Sequence, residues 1–255
     1  MMSIMYRLRS LLAGLVLTCL ASAPSTAQEQ APPHTYVIVH GAWGGSWDWR
    51  TVDSLLTAQG HRVFRPDLTG LGKRNHLASA TIGLDTHIQD VVNEILWEEL
   101  TDVVLVGHSY GGMVITGVAD SIPDRIRELI YVDAFLPEAG ESVMRLAGTP
   151  MEGLVRASTR DGLVVPVWEP AEKGLPKDVP HPLKTLTDPI RLKGEYQKVP
   201  ARYILTVDGG DRPDSFQQFA DRAERRRVPV QTMEAGHTPE RTHPEELVRL
   251  ITTNR

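Results

Sequence analysis

The stretch from Asp102 to Gly112 has the sequence DVVLVGHSYGG and decides the fold class. Its first half is a short β-branched and aliphatic run, typical of a buried strand. Its second half fits the pattern G-x-S-x-G, with Ser109 between Gly107 and Gly111, and a helix-like segment over 113–119 follows. In that context the pattern predicts a sharp, strained turn that lifts the serine hydroxyl above a sheet, at the positive end of a helix. We therefore predict that Ser109 is a nucleophile.

Strand-like runs and amphipathic segments alternate along the rest of the chain. The strand-like runs are residues 35–39, 62–64, 102–106, 129–132, 203–207 and 228–233. The segments with helical spacing are residues 47–58, 84–96, 113–119 and 245–251. This alternation predicts an α/β fold with a mostly parallel sheet flanked by helices.

Residues 137–199 do not continue this alternation. They are rich in proline, glycine and charged residues and have weak periodicity. A segment of this length is too long for a plain loop within a compact domain. We predict an inserted cap over 137–199 that covers the carboxyl edge of the sheet. The core then consists of residues 28–136 and 200–255.

The N-terminus has the features of a secretory signal peptide. Arg7 and Arg9 precede an apolar run over 11–20, and Ser25 to Ala27 supplies a small-x-small cleavage site. The run is shorter than the roughly 20 residues that a membrane span needs. We therefore expect residues 1–27 to be removed, leaving an exported, periplasmic or secreted protein with no stable membrane anchor. The only cysteine, Cys19, would be lost with this segment.

The charge balance argues against a nucleic-acid partner. The full chain has a formal net charge of −5, and the predicted signal peptide contains two arginines and no acid, so the mature chain is more acidic still. The one basic run, residues 225–227, is typical of a solvated helix end. A mildly acidic chain of this kind has no electrostatic basis for binding nucleic acid.

A serine hydroxyl needs a general base to act as a nucleophile. His237 lies in the segment EAGHTP (234–239), after the last predicted strand and before the last predicted helix, which places it at the same sheet edge as Ser109. In this architecture the acid precedes the histidine in the chain. The segment ILTVDGGDRPD (204–214) follows the preceding strand, so Asp208 is the predicted acid and Asp211 the alternative.

The negative charge that develops on an attacked carbonyl needs two hydrogen-bond donors. One is expected to be the backbone N–H of Tyr110, directly after the nucleophile. The other is expected in the loop HGAWGG (40–45), where glycines permit close approach of a ligand and Ala42 N–H is the candidate. We predict that the side chain of His40 braces this loop.

Five segments resemble the α/β-hydrolase superfamily, and within it the small methylesterase and hydroxynitrile lyase-like branch with its bacterial esterases. They are HGAWGGSWDW (40–49), PDLTGLG (66–72), GHSYGG (107–112), VDAFLPEAG (132–140) and AGHTPERTHPEEL (235–247). The resemblance implies a Ser-His-Asp triad, a backbone oxyanion hole, no cofactor and no metal. It also implies an apolar pocket under the cap, for which we expect the lining residues Trp43, Phe135, Leu136 and Trp168.

The resemblance favours a serine carboxylic-ester hydrolase that acts on small or apolar esters. Lyases of this branch have a lysine after the catalytic histidine and a threonine three residues before the His-Gly pair. Here Thr238 and Val37 occupy those positions, so ester hydrolysis is favoured over cyanohydrin cleavage. The alternatives are a cofactor-free lyase or oxygenase of the same fold and a catalytically degenerate small-ligand binder.

Overall fold

The computed structural model describes residues 33–170, 172–210 and 215–253. The predicted signal peptide, Cys19 and Asp211 lie outside the described residues. Across the described ranges, no helix is both long enough and apolar enough to cross a membrane.

The strands are β1 (Thr35–Val39), β2 (Arg62–Phe64), β3 (Val103–His108), β4 (Ile126–Val132), β5 (Thr159–Arg160), β6 (Leu163–Val164), β7 (His181–Pro182), β8 (Ala201–Val207) and β9 (Val230–Glu234). Six of these described strands form one sheet in the order β2-β1-β3-β4-β8-β9. Every pairing in that sheet is parallel. The predicted α/β class with a mostly parallel sheet is therefore confirmed.

The helices are α1 (Arg50–Ala58), α2 (Leu84–Trp97), α3 (Gly111–Ser121), α4 (Val143–Ser158), α5 (Leu183–Thr187), α6 (Gln217–Arg225), α7 (Pro239–Thr242) and α8 (Pro244–Thr252). Short 3₁₀ turns occupy Ser46–Trp49, Gly72–Leu77, Pro123–Arg125 and Glu195–Lys198.

Helices cover both faces of the parallel sheet because successive strand residues point to opposite faces. Val37 and Leu105 belong to a core cluster with residues of α2, α3 and α6. Their neighbours Ile38 and Val106 belong to a second cluster with residues of α1 and α8. The buried central strands can therefore be almost entirely apolar, as β3 is.

The chain between β4 and β8, where the cap is predicted, forms two helices and a small sheet. It contains α4, which is interrupted at Gly148 with φ 70°, followed by a small antiparallel sheet of β5, β6 and β7 and then by α5. Val155, Val164 and Leu186 of this segment are buried in the same cluster as β3 and α3. The division of the chain at residues 137 and 199 stays a prediction.

A buried carboxylate fixes the return of the chain from this segment to the sheet. Asp120, at the end of α3, is 5% exposed and accepts hydrogen bonds from three backbone N–H groups. These donors are Lys193 (2.6 Å), Gly194 (2.9 Å) and Tyr196 (3.2 Å). One side chain thus orders the turn that leads into β8.

We predict that Asp120→Ala lowers the free energy of unfolding by about 3 kcal/mol or more, because each buried donor left unpaired costs about 1–3 kcal/mol. Urea denaturation measures this loss. The exposed Asp124 offers a matched control, since Asp124→Ala is expected to change stability by less than about 0.5 kcal/mol. Equal stability of the two variants would contradict the role of Asp120.

Candidate active site

Ser109 occupies the strained turn that its sequence pattern predicts. Its φ is 52°, in the left-handed region that non-glycine residues rarely adopt. A Cβ atom at Gly107 would lie 2.8 Å from the carbonyl oxygen of Gly111, and one at Gly111 would lie 2.6 Å from that of Val39. Glycine is therefore required on both sides of the serine by close backbone approach.

The imidazole of His237 connects Ser109 to a carboxylate. His237 Nε2 lies 3.0 Å from Ser109 Oγ, and Nδ1 lies 2.6 Å from Asp133 Oδ2. Because the carboxylate can only accept, Nδ1 carries the proton, which leaves Nε2 to accept the serine proton. This tautomer is the one that a general base needs.

The carboxylate of Asp133 is buried and held in place. The residue follows β4 directly, is 1% exposed and has φ 42°. Its Oδ1 accepts the backbone N–H of Thr206 at 3.2 Å, and its own N–H donates to the carbonyl of Ile204 at 2.7 Å. Both partners lie on β8, so the neighbouring strand orients the carboxylate toward His237.

The predicted contact between Asp208 and His237 needs correction. Asp208 lies near the cavity but is exposed, and its Oδ1 accepts the N–H of Gly210 at 3.0 Å. The structure places Asp133 against His237 instead. Asp133 also follows an apolar strand directly, so the sequence signal was as strong as for Asp208. Chain order favoured Asp208, but its side chain bonds to its own loop, whereas β8 holds the buried Asp133 carboxylate toward His237.

Two further histidines hold the backbone around the site. His40 Nδ1 donates to the carbonyl of Gly41 at 2.8 Å, while Nε2 accepts the N–H of Leu68 at 3.2 Å. His108 Nε2 donates to the carbonyl of His237 at 2.6 Å. Burial lowers the pKa of His40 and takes that of His108 well below its usual range, so both are neutral bracing groups near pH 7.

The loop after β1 (residues 40–45) is hydrogen-bonded to the segment between β4 and β8 through Trp43, which has φ 63°. Its N–H donates to His181 Nδ1 (3.2 Å), its indole N–H to the carbonyl of Val164 (2.9 Å), and its carbonyl accepts from Val179 N (2.9 Å). Ala42, the predicted donor, precedes Trp43 and lines the cavity. These hydrogen bonds restrain the backbone of the residue that follows Ala42.

Tyr110, the other predicted donor residue, stands immediately before α3. Its side chain is buried, and its hydroxyl lies 2.9 Å from His87 Nδ1. The side chain therefore anchors the turn in the core, while the backbone N–H belongs to the N-terminal end of α3, where helix N–H groups favour negative charge.

The site opens into a cavity of about 1050 Å³ between the sheet edge and the cap. Of the predicted pocket residues, Trp43, Phe135 and Trp168 line it, together with Ser109. The prediction that Leu136 lines the cavity is corrected. Leu136 is 2% exposed and packs in the core.

An aromatic contact to His237 was also not predicted from the sequence. The ring of Phe216 stacks on that of His237, with centroids 4.7 Å apart and an angle of 11° between the planes. The stacking limits rotation of the imidazole. Within the part of the chain that the structure describes, no group of three histidine, cysteine or acidic side chains is placed to hold a metal ion.

A family model described as the alpha/beta hydrolase family matches residues 36–250. The chain belongs to the alpha/beta hydrolase family. The resemblance drawn from the motifs is thereby confirmed. The match spans the sheet, the segment between β4 and β8, and the three hydrogen-bonded residues Ser109, His237 and Asp133.

Known members of the family that are similar to this hydrolase include esterases. It is 44% identical over 206 residues to a carbendazim hydrolyzing esterase of Nocardioides sp., covering 72% of this chain and 84% of that protein. It is 35% identical over 118 residues to methylesterase 2 of Arabidopsis thaliana, covering 46% and 44% of the two chains. These relatives support an ester hydrolase.

A solved structure agrees with the fold. An extracellular alpha/beta-hydrolase from a Paenibacillus species superposes with a TM-score of 0.72 at 24% identity, covering 86% of this chain and 98% of that one.

We predict that Asp133→Asn lowers kcat for p-nitrophenyl acetate by about 10³–10⁴-fold, because an amide no longer fixes the His237 tautomer. Initial rates at pH 7.5 measure the effect. Asp208→Asn is the matched control, with kcat expected within about twofold of wild type. An inactive Asp208→Asn variant together with an active Asp133→Asn variant would show that Asp208, and not Asp133, is the acid that pairs with His237.

Proposed function

We propose that this hydrolase is a serine carboxylic-ester hydrolase that acts through an acyl-enzyme, with Ser109 as nucleophile, His237 as base and Asp133 as the orienting acid. The observation that supports it is the continuous hydrogen-bonded chain from Ser109 Oγ through both nitrogens of His237 to Asp133, open to a cavity. In this arrangement the base can take the serine proton without moving.

In the first half-reaction, Ser109 Oγ attacks the ester carbonyl carbon while His237 Nε2 takes the hydroxyl proton. The carbonyl electrons move to oxygen, and the N–H groups of Ala42 and Tyr110 stabilise that oxyanion, each by about 3 kcal/mol in comparable sites. The carbon–oxygen bond to the alcohol then breaks, and His237 returns the proton to the leaving oxygen. The product is an acyl-serine and a free alcohol.

In the second half-reaction, water replaces the alcohol. His237 takes a proton from the water as its oxygen attacks the acyl-serine, and it gives that proton back to Ser109 Oγ when the carboxylic acid leaves. The positive charge on His237 during both steps is stabilised by the buried carboxylate of Asp133, 2.6 Å from Nδ1.

The cavity supports small or apolar esters as the substrate class. Trp43 and Trp168 meet edge to face with centroids 4.9 Å apart, and Phe135, Met151 and Leu186 add apolar surface. Trp168 is about half exposed, so it stands where the cavity meets solvent. A flat or branched apolar group therefore finds apolar contacts in the cavity that contains Ser109.

We also propose that the protein is exported, on the basis of Arg7, Arg9 and the apolar run over 11–20. Expression of the full chain in a Gram-negative host is expected to give a periplasmic protein whose first residue is Gln28. N-terminal sequencing measures this, and a cytoplasmic product that keeps residues 1–27 would refute it.

We predict that Ser109→Ala reduces kcat for p-nitrophenyl acetate and butyrate by at least about 10³-fold, since the nucleophile is lost. The exposed Ser121 of α3 provides the control, and Ser121→Ala is expected to keep wild-type kcat. Wild type is expected to react with a fluorophosphonate at Ser109 alone, which mass spectrometry locates.

Other results would favour the alternatives. A reaction that survives Ser109→Ala, with no acyl-enzyme detected, would indicate a cofactor-free lyase or oxygenase in which His237 moves the proton. Folded wild type that neither hydrolyses esters nor reacts with the fluorophosphonate would indicate a degenerate small-ligand binder.

A further inference from the structure

The two backbone N–H groups that the proposed mechanism uses are not engaged within the protein. Among the residues that the structure describes, none accepts a hydrogen bond from the N–H of Ala42 or from that of Tyr110. The next N–H along the loop is different, because Trp43 N–H donates to His181 Nδ1 at 3.2 Å. The direction of the free Ala42 N–H therefore depends on how the backbone around it is held.

Two peptide planes meet at Ala42, because each peptide unit is planar. The first contains the Gly41 carbonyl and the Ala42 N–H, which point in opposite directions across a trans bond. The second contains the Ala42 carbonyl and the Trp43 N–H. His40 holds the first plane, since its Nδ1 donates to the Gly41 carbonyl at 2.8 Å. The second plane needs a partner for the Trp43 N–H.

His181 supplies that partner from β7, in the segment between β4 and β8. Its side chain is 0% exposed. Because Nδ1 accepts the Trp43 N–H, Nε2 carries the proton and donates it to Thr185 Oγ1 at 2.6 Å, and this hydroxyl donates to the carbonyl of Pro182 at 2.8 Å. Burial takes the pKa of His181 well below its usual range, so Nδ1 stays an acceptor near pH 7.

The same imidazole also contacts the residue that carries the other free N–H. The rings of His181 and Tyr110 meet edge to face, with centroids 5.1 Å apart and an angle of 81° between the planes. The far end of Tyr110 is held by His87, whose Nδ1 lies 2.9 Å from the phenol oxygen. His181 therefore packs between the residue that follows Ala42 and the residue that follows Ser109.

We propose that His181 is a positioning residue for ester hydrolysis. It holds the second peptide plane at Ala42 and packs against Tyr110, so that both free N–H groups keep the geometry in which they bind the oxyanion. This inference rests on the proposed function. An effect on the oxyanion appears in the transition state and not in the bound ester, so it changes kcat more than KM.

Two ketones with the same carbon skeleton test the binding of an oxyanion directly. With 1,1,1-trifluoro-4-phenylbutan-2-one, Ser109 Oγ adds to the carbonyl carbon, the carbonyl electrons move to oxygen and His237 takes the hydroxyl proton. The unfluorinated 4-phenylbutan-2-one stays a neutral ketone. By titration calorimetry at pH 7.5, wild type is expected to bind the trifluoro ketone at least about 10²-fold more tightly, as transition-state analogues do.

The variant His181→Phe keeps a buried ring but removes the acceptor for the Trp43 N–H. Its preference for the trifluoro ketone is expected to fall about tenfold or more, because complete loss of one oxyanion donor costs about 10²–10³-fold. For p-nitrophenyl acetate, kcat is expected to fall by a similar factor while KM stays within about twofold. Affinity for the unfluorinated ketone is expected to stay unchanged.

Three further variants separate this role from a general effect on stability. His181→Asn places an amide oxygen near the position of Nδ1 and is expected to keep most of the preference. His181→Gln carries its amide to the position of Nε2 and is expected to behave like His181→Phe. His61→Phe is the matched control, because the buried His61 also accepts a backbone N–H at Nδ1, that of His34 at 3.1 Å, but at the amino ends of β1 and β2. It is expected to keep the full preference.

An unchanged preference in His181→Phe would overturn the inference, as would a fall of equal size in His61→Phe. Thermal unfolding checks that the variants fold. If His181→Phe does not fold, the Asn and Gln variants decide, and equal preferences in these two would also overturn it. Wild type that binds both ketones equally would refute the proposed serine mechanism itself, so failure of the function is distinguished from failure of the inference.

Discussion

The backbone turn at Ser109 is the constraint on which the rest of the site depends. A left-handed residue between a buried strand and a buried helix is tolerated only because the glycines around it let main chain touch main chain. The turn brings α3 against the ends of β1 and β3. Its position therefore fixes where the Ser109 hydroxyl lies relative to the loop that contains Ala42.

The parallel sheet then decides which side chains meet this serine. Strands that run in one direction end at one edge, so residues after β3, β4 and β9 converge although they are far apart in the chain. Backbone hydrogen bonds from β8 orient the Asp133 carboxylate. The buried, neutral His108 holds the carbonyl of His237, so the imidazole is positioned without the cost of burying another charge.

The segment between β4 and β8 contacts the loop beside Ser109 as well as the cavity. Its hydrogen bonds to Trp43 link this segment to the loop over residues 40–45, which lies beside Ser109 at the cavity. It also supplies Asp178, which shares Arg241 with Asp48. Asp48, Asp178 and Arg241 all line the cavity, so its wall carries a charged cluster beside the aromatic side chains.

The sequence by itself determined the fold class and predicted that the side chains of Ser109 and His237 meet at one edge of the sheet. Each prediction follows from a local pattern: apolar runs of fixed period, glycines two residues from a serine, and a histidine after a strand. Which aspartate meets His237 was decided by the tertiary surroundings of each side chain. Asp133 is buried and is oriented toward His237 by backbone hydrogen bonds with β8, whereas the exposed Asp208 accepts a hydrogen bond within its own loop. The sequence also did not show that Phe135 lines the cavity while its neighbour Leu136 packs in the core. Nor did it show the pairing of Arg241 with Asp48 and Asp178, 193 and 63 residues away, because only the folded chain brings these charges together.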